Sequence, residues 1–172
     1  MFVVKYPACL LGNEKMINGN WIEVKDGDVR AVALYRNHYS CTNKSADHVR
    51  YGFSGQGESM ILLTVDCRAV FGWRKLKQSD DGQEGVNCFV FQNNSVLISS
   101  ELIKEADELA WGKWQGERLY TYVNSKKIKS AHPGYCFIKA GWDYQRNEKG
   151  KPVLSKKNKL HVLEVYPKKF SE

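Results

Sequence analysis

The spacing of apolar and polar residues in the middle of the chain predicts a strand, a helix and a second strand. Residues 86–91 are rich in aromatic and β-branched side chains and lie between turn residues, which is typical of a β-strand. Ser99 and Ser100, good cap residues, mark the start of a helix. Its apolar residues recur every three or four positions until Gly116 ends it, and residues 119–123 form the next strand.

This order of elements indicates where a ligand would bind. A strand, a helix and a parallel strand together form a right-handed βαβ unit. Ligands of such units sit beyond the carboxyl ends of the strands, where the N-terminus of the helix offers unpaired backbone amides. In this chain that position is the loop of residues 93–100, so the pattern predicts a ligand-binding loop there.

The other apolar segments predict further strands around this unit. Residues 60–65 and 69–76 are apolar and flank a short polar turn, which indicates a β-hairpin. Residues 160–166 form a closing strand at the C-terminal edge of the sheet, and residues 29–35 form a strand or a short helix. A further short helix ends near Trp142. The class is α/β (α+β), with a mixed, mostly antiparallel sheet of six or seven strands and flanking helices.

Length and composition place the chain among ordinary globular proteins. Its 172 residues suffice for one domain, 1–172, with a core of its own. No apolar run approaches the length of a membrane span, and the first residues lack the pattern of a signal peptide. The five cysteines are scattered and odd in number, which favours reduced thiols. These features predict a cytoplasmic protein with no membrane contact.

Positive charge is concentrated at the C-terminal end. From Val123 onwards there are 12 Lys and Arg against 4 Asp and Glu, a net charge of +8, whereas the preceding residues carry 14 against 15, a net charge of −1. Such a basic stretch can attract a phosphate backbone or an anionic cofactor, so nucleic acid is one expected partner. The alternative is a solvated basic surface. The lysines concerned include Lys126, Lys127, Lys129, Lys156, Lys157, Lys159, Lys168 and Lys169.

Two short motifs resemble the GNAT superfamily of N-acetyltransferases. They are YVN at residues 122–124 and CFIKAGW at residues 136–142, which are similar to the family's strand-to-Asn step and to its helix ending in Gly-Phe. The resemblance covers about a third of the chain closely and about two thirds loosely. It implies a GNAT-like fold that transfers an acyl group from acyl-coenzyme A, such as acetyl-CoA, directly to an amine.

The resemblance also implies roles for individual residues. Strand residues Phe89, Val90 and Phe91 would supply backbone groups for the pantetheine arm of the coenzyme. Tyr135 is the general acid that the comparison favours, with packing against Trp142 as its alternative. The other residues expected to bind the cofactor are those at the helix N-terminus, facing the pyrophosphate, and one bordering the thiol: Ile98, Ser99, Ser100 and Asn124.

A second resemblance concerns the acceptor. The HYS sequence at residues 38–40 is similar to a segment of Mom, a phage adenine-modification protein with a GNAT-like fold. It implies that His38 and Tyr39 lie on the substrate side of the cleft, and that the acceptor amine belongs to a nucleobase or nucleic acid. His38, Cys41 and His48 could instead form part of a metal site, but their spacing is irregular and a fourth ligand is missing. No metal site is therefore predicted.

Departures from the GNAT pattern keep other functions open. The family's Gly-rich phosphate loop is replaced by NNSVLI at residues 93–98, and Phe137 stands where many members have a tyrosine. These changes favour a non-catalytic GNAT-like phage protein that binds a host protein or nucleic acid. A third alternative is Mom-like base modification with another donor. Trp73 and Arg74 could contact a ligand, although a tryptophan more often packs in a core.

Overall fold

Seven strands form one sheet, and three helices flank it. The structure, a computed structural model, describes residues 19–41, 52–128 and 131–168. Within these ranges the strands are β1 (Trp21–Val24), β2 (Glu58–Thr64), β3 (Ala69–Lys75), β4 (Val86–Asn93), β5 (Leu119–Val123), β6 (Asp143–Tyr144) and β7 (His161–Val165). The helices are α1 (Val29–Asn37), α2 (Ser99–Lys113) and α3 (Tyr135–Lys139).

The sheet is mixed and mostly antiparallel, which confirms the predicted fold class. Its strand order is β1-β2-β3-β4-β5-β7-β6. Every neighbouring pair is antiparallel except β4 and β5, which are parallel and are joined through α2. The predicted strand, helix and parallel strand are therefore present at the centre of the sheet.

Each face of the sheet carries its own apolar cluster. We call the side covered by α2 and α3 the α2 face, and the side covered by α1 the α1 face. The α2 face holds the larger cluster, which includes Trp21, Trp73 and Trp142, all nearly or fully buried. The α1 face holds a smaller cluster of aliphatic residues with Phe53. The sheet is thus buried on both sides, as the apolar runs of its central strands require.

Several boundaries differ from the sequence predictions for physical reasons. Helix α2 begins at Ser99 as predicted, but Ile98 is its N-cap and no side chain caps it. The Ser99 hydroxyl instead accepts a hydrogen bond from the Asn93 side chain at 2.9 Å. Residues 29–35 belong to a helix because Asp28 caps it by accepting from the Arg30 amide.

At the two ends of the sheet the sequence was less informative. Strand β1 was missed because four residues are too few to show a period. Strand β7 was expected at the sheet edge, but the two-residue β6 lies outside it. Cys41, Cys88 and Cys136 are reduced, whereas Cys67 is disulfide-bonded, so the prediction of reduced thiols is wrong at that position.

Candidate functional site

A bulge in β4 interrupts the central ladder. Gly72 is paired with Val90, and the next residue, Trp73, is paired with Cys88, so Phe89 is the extra residue on β4. A Cβ atom on Gly72 would lie 2.5 Å from the ring of Phe89, so only glycine leaves room for that ring. The bulge turns Phe89 and Val90 toward the α1-face cluster, and it alters the direction of β4 at this point.

Strands β4 and β5 separate just after the bulge begins. Their parallel pairing runs only from Val86 and Leu119 to Cys88 and Thr121. The Thr121 hydroxyl donates to the Cys88 carbonyl at 2.9 Å and closes this last rung. Strand β4 continues to Asn93, and within the described ranges no strand pairs with the edge of its final residues that faces β5.

A cavity of about 540 Å³ occupies the gap between the separated strands. That volume lies within the range of small-molecule and cofactor sites. Its wall includes residues on both sides of the sheet: His38, Tyr39, Arg74 and Asn87 on the α1 face, and Phe91, Tyr135, Cys136 and Phe137 on the α2 face. Residues from both faces of the sheet therefore border one cavity.

His38 reaches the cavity from the end of α1. Its Nδ1 accepts from the Ser40 amide at 3.2 Å and contacts the Ser40 hydroxyl at 2.7 Å. An acceptor role for Nδ1 leaves the proton of the neutral ring on Nε2. Burial lowers the pKa of His38 from 6.5 to about 4. His38 is therefore an uncharged hydrogen-bond donor at neutral pH and a weak base.

Tyr39 lies beside His38 at the entrance to the cavity. The two ring centroids are 4.3 Å apart and the rings are tilted by 32°. Burial raises the pKa of the Tyr39 phenol, and the nearby backbone amide of Asn124 acts in the opposite direction. The phenol thus stays protonated. The Tyr39 side chain reaches from the end of α1 to the backbone of Asn124, the residue after β5.

Arg74 is the only Lys or Arg among the residues that line the cavity, and no Asp or Glu lines it in the described part of the chain. The Arg74 Nη1 donates to the Ser54 carbonyl at 2.8 Å, and Nη2 makes a long contact of 3.5 Å with Asn87 Oδ1. Its Nε is buried without a hydrogen-bond partner. The guanidinium lies over the Phe89 ring, 5.5 Å from its centroid.

The short helix α3 forms the wall of the cavity on the α2 face. It starts at Gly134, where φ is 77° and a Cβ atom would lie 2.8 Å from Leu163. Tyr135 is 53% exposed, and Lys139 lies over its ring at 5.8 Å. Trp142 is packed by Phe137, with centroids 4.9 Å apart, so the packing that the sequence suggested for Tyr135 belongs to Phe137.

The two cysteines beside the cavity are poorly suited to be nucleophiles. Burial raises the pKa of the Cys88 thiol well above its usual value. Burial also raises the pKa of Cys136. Because the thiolate is the reactive form of cysteine, neither residue favours a covalent intermediate at neutral pH.

The structure brings together the three predicted catalytic residues and part of the predicted cofactor set. His38, Tyr39 and Tyr135 line one cavity, together with Phe89, Val90 and Phe91. Ile98, Ser99, Ser100 and Asn124 are not part of its lining. The Asn124 side chain accepts from the Lys126 amide and shapes a turn instead.

Sequence reasoning missed two polar residues of the wall, Asn87 and Tyr122. The Asn87 side chain is buried and donates to the Tyr120 carbonyl at 3.4 Å. Tyr122 donates to the carboxylate of Asp81, and burial, with that hydrogen bond, raises its pKa. Asn87 lies in β4 and Tyr122 in β5, so the only sequence signal was a polar group among the apolar residues of a central strand.

Other predicted features lie partly outside the described residues. His48, Lys129 and Lys169 lie outside the residues that the structure describes. Within residues 19–41, 52–128 and 131–168, no group of three His, Cys, Asp or Glu could hold a metal ion. In the same ranges, no helix is long and apolar enough to cross a membrane.

Two lysines of the basic stretch lie at the entrance to the cavity. The Lys127 amine contacts the Tyr39 carbonyl at 3.5 Å, and Lys139 lies over the ring of Tyr135. Part of the C-terminal positive charge therefore lies beside residues that line the cavity. The sequence matches no protein-family model, and a search of curated proteins finds no significant match either.

Proposed function

We propose that this protein is a GNAT-like acyltransferase that moves an acyl group from acyl-coenzyme A to an amine. One observation supports this reaction above others: in the described part of the chain, no strand pairs with the β5-facing edge of β4 beyond Cys88, and residues 89–91 of that strand line a cavity that residues of both sheet faces border. An extended ligand with amide groups, such as the pantetheine arm, can pair with such an edge as an added strand does. A second substrate can then approach the thioester from the opposite face.

The bulge at Phe89 suits the chemistry of thioester attack. Attack by an amine places negative charge on the thioester oxygen, and a backbone amide held in place beside that oxygen stabilises it. A bulged residue has a backbone group that the ladder does not use. Residues 89–91 would therefore hold the arm and supply the oxyanion donor.

The side chains divide the remaining work between the two faces. On the α2 face, Tyr135 would protonate the departing thiolate as general acid. The acceptor nitrogen would release its proton to water, and water would return a proton to the exposed Tyr135 phenol. On the α1 face, neutral His38 would orient the acceptor through Nε2–H, and Tyr39 would hydrogen-bond to it. Because His38 is a weak base, an acceptor that is uncharged at neutral pH, such as the amine of a nucleobase, fits this face better than an alkylammonium ion.

Nucleic acid is the acceptor class that the charge distribution favours. Lys127 contacts Tyr39 and Lys139 lies over Tyr135, an exposed aromatic ring that lines the cavity. Lysines beside an exposed aromatic ring can bind a phosphate backbone while a base stacks. The interaction should weaken steeply as salt concentration rises.

The first experiment is the thermal midpoint of the purified protein with and without acetyl-CoA. A ligand that binds only the folded state at about 100 times its Kd should raise the midpoint by about 5 °C. Pantetheine alone should give a smaller rise, because the cavity is expected to take the arm. A rise with acetyl-CoA but none with pantetheine would contradict binding in the gap.

A matched pair of variants on α3 localises the coenzyme. Cys136→Phe places a ring in the cavity and should abolish the acetyl-CoA shift. Ile138→Phe adds a ring on the same helix at a partly exposed residue outside the lining, and should leave the shift intact. If both variants keep the full shift, the coenzyme binds elsewhere or the proposal fails.

A second candidate function is a non-catalytic binder of a host protein or nucleic acid. It is favoured by the loop before α2, where Val96 is 94% exposed and the Asn93 side chain bonds to Leu97 and Ser99 in place of a Gly-rich turn. Base modification with another donor is the third candidate. Absence of any shift with millimolar acetyl-CoA would favour these two, and loss of DNA modification in His38→Ala would select the last.

A further inference from the structure

Among the described residues, no carboxylate balances the positive charge of Arg74 in the cavity. Arg74 is always ionised, and no carboxylate lines the cavity within the described residues. The Asp81 carboxylate accepts a hydrogen bond from the Tyr122 hydroxyl and is not part of the lining. Among described residues no Asp or Glu forms a salt bridge with Arg74. Since an uncompensated charge in a partly buried site costs stability, it requires an explanation.

Arg74 is held in a fixed orientation at the α1 side of the cavity. The Asp26 carboxylate accepts from the Phe53 amide at 2.8 Å and binds the amide and hydroxyl of Ser54. The Ser54 carbonyl then accepts from Arg74 Nη1, while the Phe89 ring supports the guanidinium plane. Of the five N–H groups of the guanidinium, only two have acceptors among the described residues. A cation restrained in this way is prepared to bind an anion.

The rest of the α1 side is apolar or uncharged. Phe89 and Val90 form one part of the wall, while Asn87 and neutral His38 add uncharged polar groups. A small inorganic ion would leave most of the 540 Å³ cavity unfilled. The site therefore fits an anionic group attached to a flat or apolar body.

We propose that the α1 side of the cavity is a subsite for an organic anion, in which Arg74 binds a carboxylate or phosphate carried by the acceptor substrate. The term acceptor rests on the proposed acyl transfer, whereas the anion site itself rests on the geometry of Arg74. The ligand's oxygens accept from the N–H groups of Arg74 that the protein leaves unused. A charge-assisted interaction of this kind is stronger than a neutral hydrogen bond.

The experiment compares simple probes of equal shape and different charge. Benzoate and phenyl phosphate represent the two anion types, and benzamide is the neutral counterpart of benzoate. Binding is followed by thermal midpoint and by titration in two-dimensional proton–nitrogen NMR at constant ionic strength. We expect at least one anion to bind at least about tenfold more tightly than benzamide, as hydrogen bonds to charged groups usually allow. Equal binding of benzoate, phenyl phosphate and benzamide, or none, would overturn the proposal.

Variants then assign the effect to Arg74. Arg74→Met should lower the affinity for the anion by at least about tenfold. Arg74→Lys should lower it less because it keeps the charge. The control Arg146→Gln removes the same charge from an exposed residue outside the cavity and should bind as the original protein does. Arg74→Met should retain the thermal midpoint or raise it, since it removes an unbalanced charge. Unchanged anion binding in this variant would overturn the role of Arg74.

Acetyl-CoA separates failure of this inference from failure of the proposed function. If Arg74→Met loses the anion but keeps the acetyl-CoA shift, Arg74 serves the acceptor side, as proposed. If it loses both, Arg74 binds the coenzyme, and the assignment to the acceptor is wrong. If the original protein binds benzoate or phenyl phosphate but no acetyl-CoA, the acyl-transfer proposal fails while the anion subsite stands.

Discussion

The polar groups on the two faces of the sheet differ in how fully they are hydrogen-bonded. On the α2 face, the indole N–H groups of Trp21 and Trp73 donate to the Leu102 and Ala106 carbonyls at 2.9 and 3.1 Å. On the α1 face, Arg74 has a buried Nε without a partner. Burial also lowers the pKa of His38, because the charged imidazole loses more hydration on burial than the neutral form does.

The difference indicates a division of labour. A large aromatic core with satisfied donors fixes the sheet and α2, so it contributes mainly to stability. Unsatisfied or uncharged titratable groups beside a cavity contribute little to stability and are prepared for a ligand. The α1 face should therefore tolerate changes that abolish binding, whereas the α2 face should unfold when its polar pairs are broken.

Asp107 provides the largest test because it is an exception on the α2 face. It is 3% exposed; its Oδ2 accepts from Trp142 Nε1 at 2.8 Å, while its Oδ1 has no partner. Burial raises its pKa well above the usual value. A raised folded-state pKa gives stability that is complete below about pH 4, the unfolded value, and is lost as pH rises through the folded value. At neutral pH the carboxyl therefore costs stability.

Asp107→Asn keeps an acceptor for the indole and removes the titration. We expect it to raise the free energy of unfolding at pH 7 by about 1 to 2 kcal/mol, with the gain shrinking toward pH 4. Asp107→Leu removes the acceptor and should lower that free energy by about 1 to 3 kcal/mol. Urea unfolding at both pH values measures this. Destabilisation by both variants alike would mean that the carboxylate charge itself is needed on this face.

The centre of the fold was predictable from the sequence because its signals are local. Helix α2 shows the three-and-four spacing of a half-buried helix, and β5 was predicted with its observed bounds. The bulge depends on which residues of β3 and β4 are paired, and that is a long-range property. Gly72 was the available signal, since a glycine inside an apolar strand often marks a bulge or a close approach.

The candidate site was only partly predictable for the same reason. His38 and Tyr135 were singled out through short motifs, and they meet in one cavity although 97 residues separate them in the chain (135 − 38). Arg74 was noticed as a residue that could contact a ligand. That no carboxylate of the described residues lies beside it in the cavity depends on the fold of neighbouring strands and loops, which no local pattern encodes.

His38 allows a smaller test, directed at the α1 face. Its folded-state pKa of about 4 lies below the unfolded value of 6.5. Its contribution to stability is therefore complete above pH 6.5 and is lost as pH falls through about 4. We expect a loss on the order of 1 kcal/mol over this window, because partial exposure reduces the effect.

His38→Gln should flatten the pH dependence of unfolding over that window, and Tyr39→Phe should leave it as it is, since it keeps the ring that packs on His38. The measurement is the difference in unfolding free energy between each variant and the original protein at intervals from pH 4 to 6.5, the window set by His38. A difference that does not vary with pH for His38→Gln would show that the imidazole is solvated. The α1 face would then lose one of the two features that distinguish it.

Tyr135 should give the smallest change in stability, and it tests whether a residue can belong to the site without belonging to either core. Its side chain is 53% exposed, so Tyr135→Phe should alter the free energy of unfolding by less than about 0.5 kcal/mol. The acetyl-CoA shift should persist. Loss of a general acid, in contrast, should slow acyl transfer by about 100-fold or more, measured as release of free coenzyme A thiol in the presence of an amine.

The matched control is Tyr166→Phe, which removes a phenol that is 59% exposed and lies outside the cavity. It should change neither stability nor transfer. If Tyr135→Phe transfers at the original rate, the leaving thiolate does not need this proton, and water at the open entrance supplies it. If Tyr135→Phe destabilises the protein by more than about 1 kcal/mol, the hydroxyl takes part in the packing of α3. Its contribution would then be structural. Only the α1 face would hold site residues that contribute little to stability.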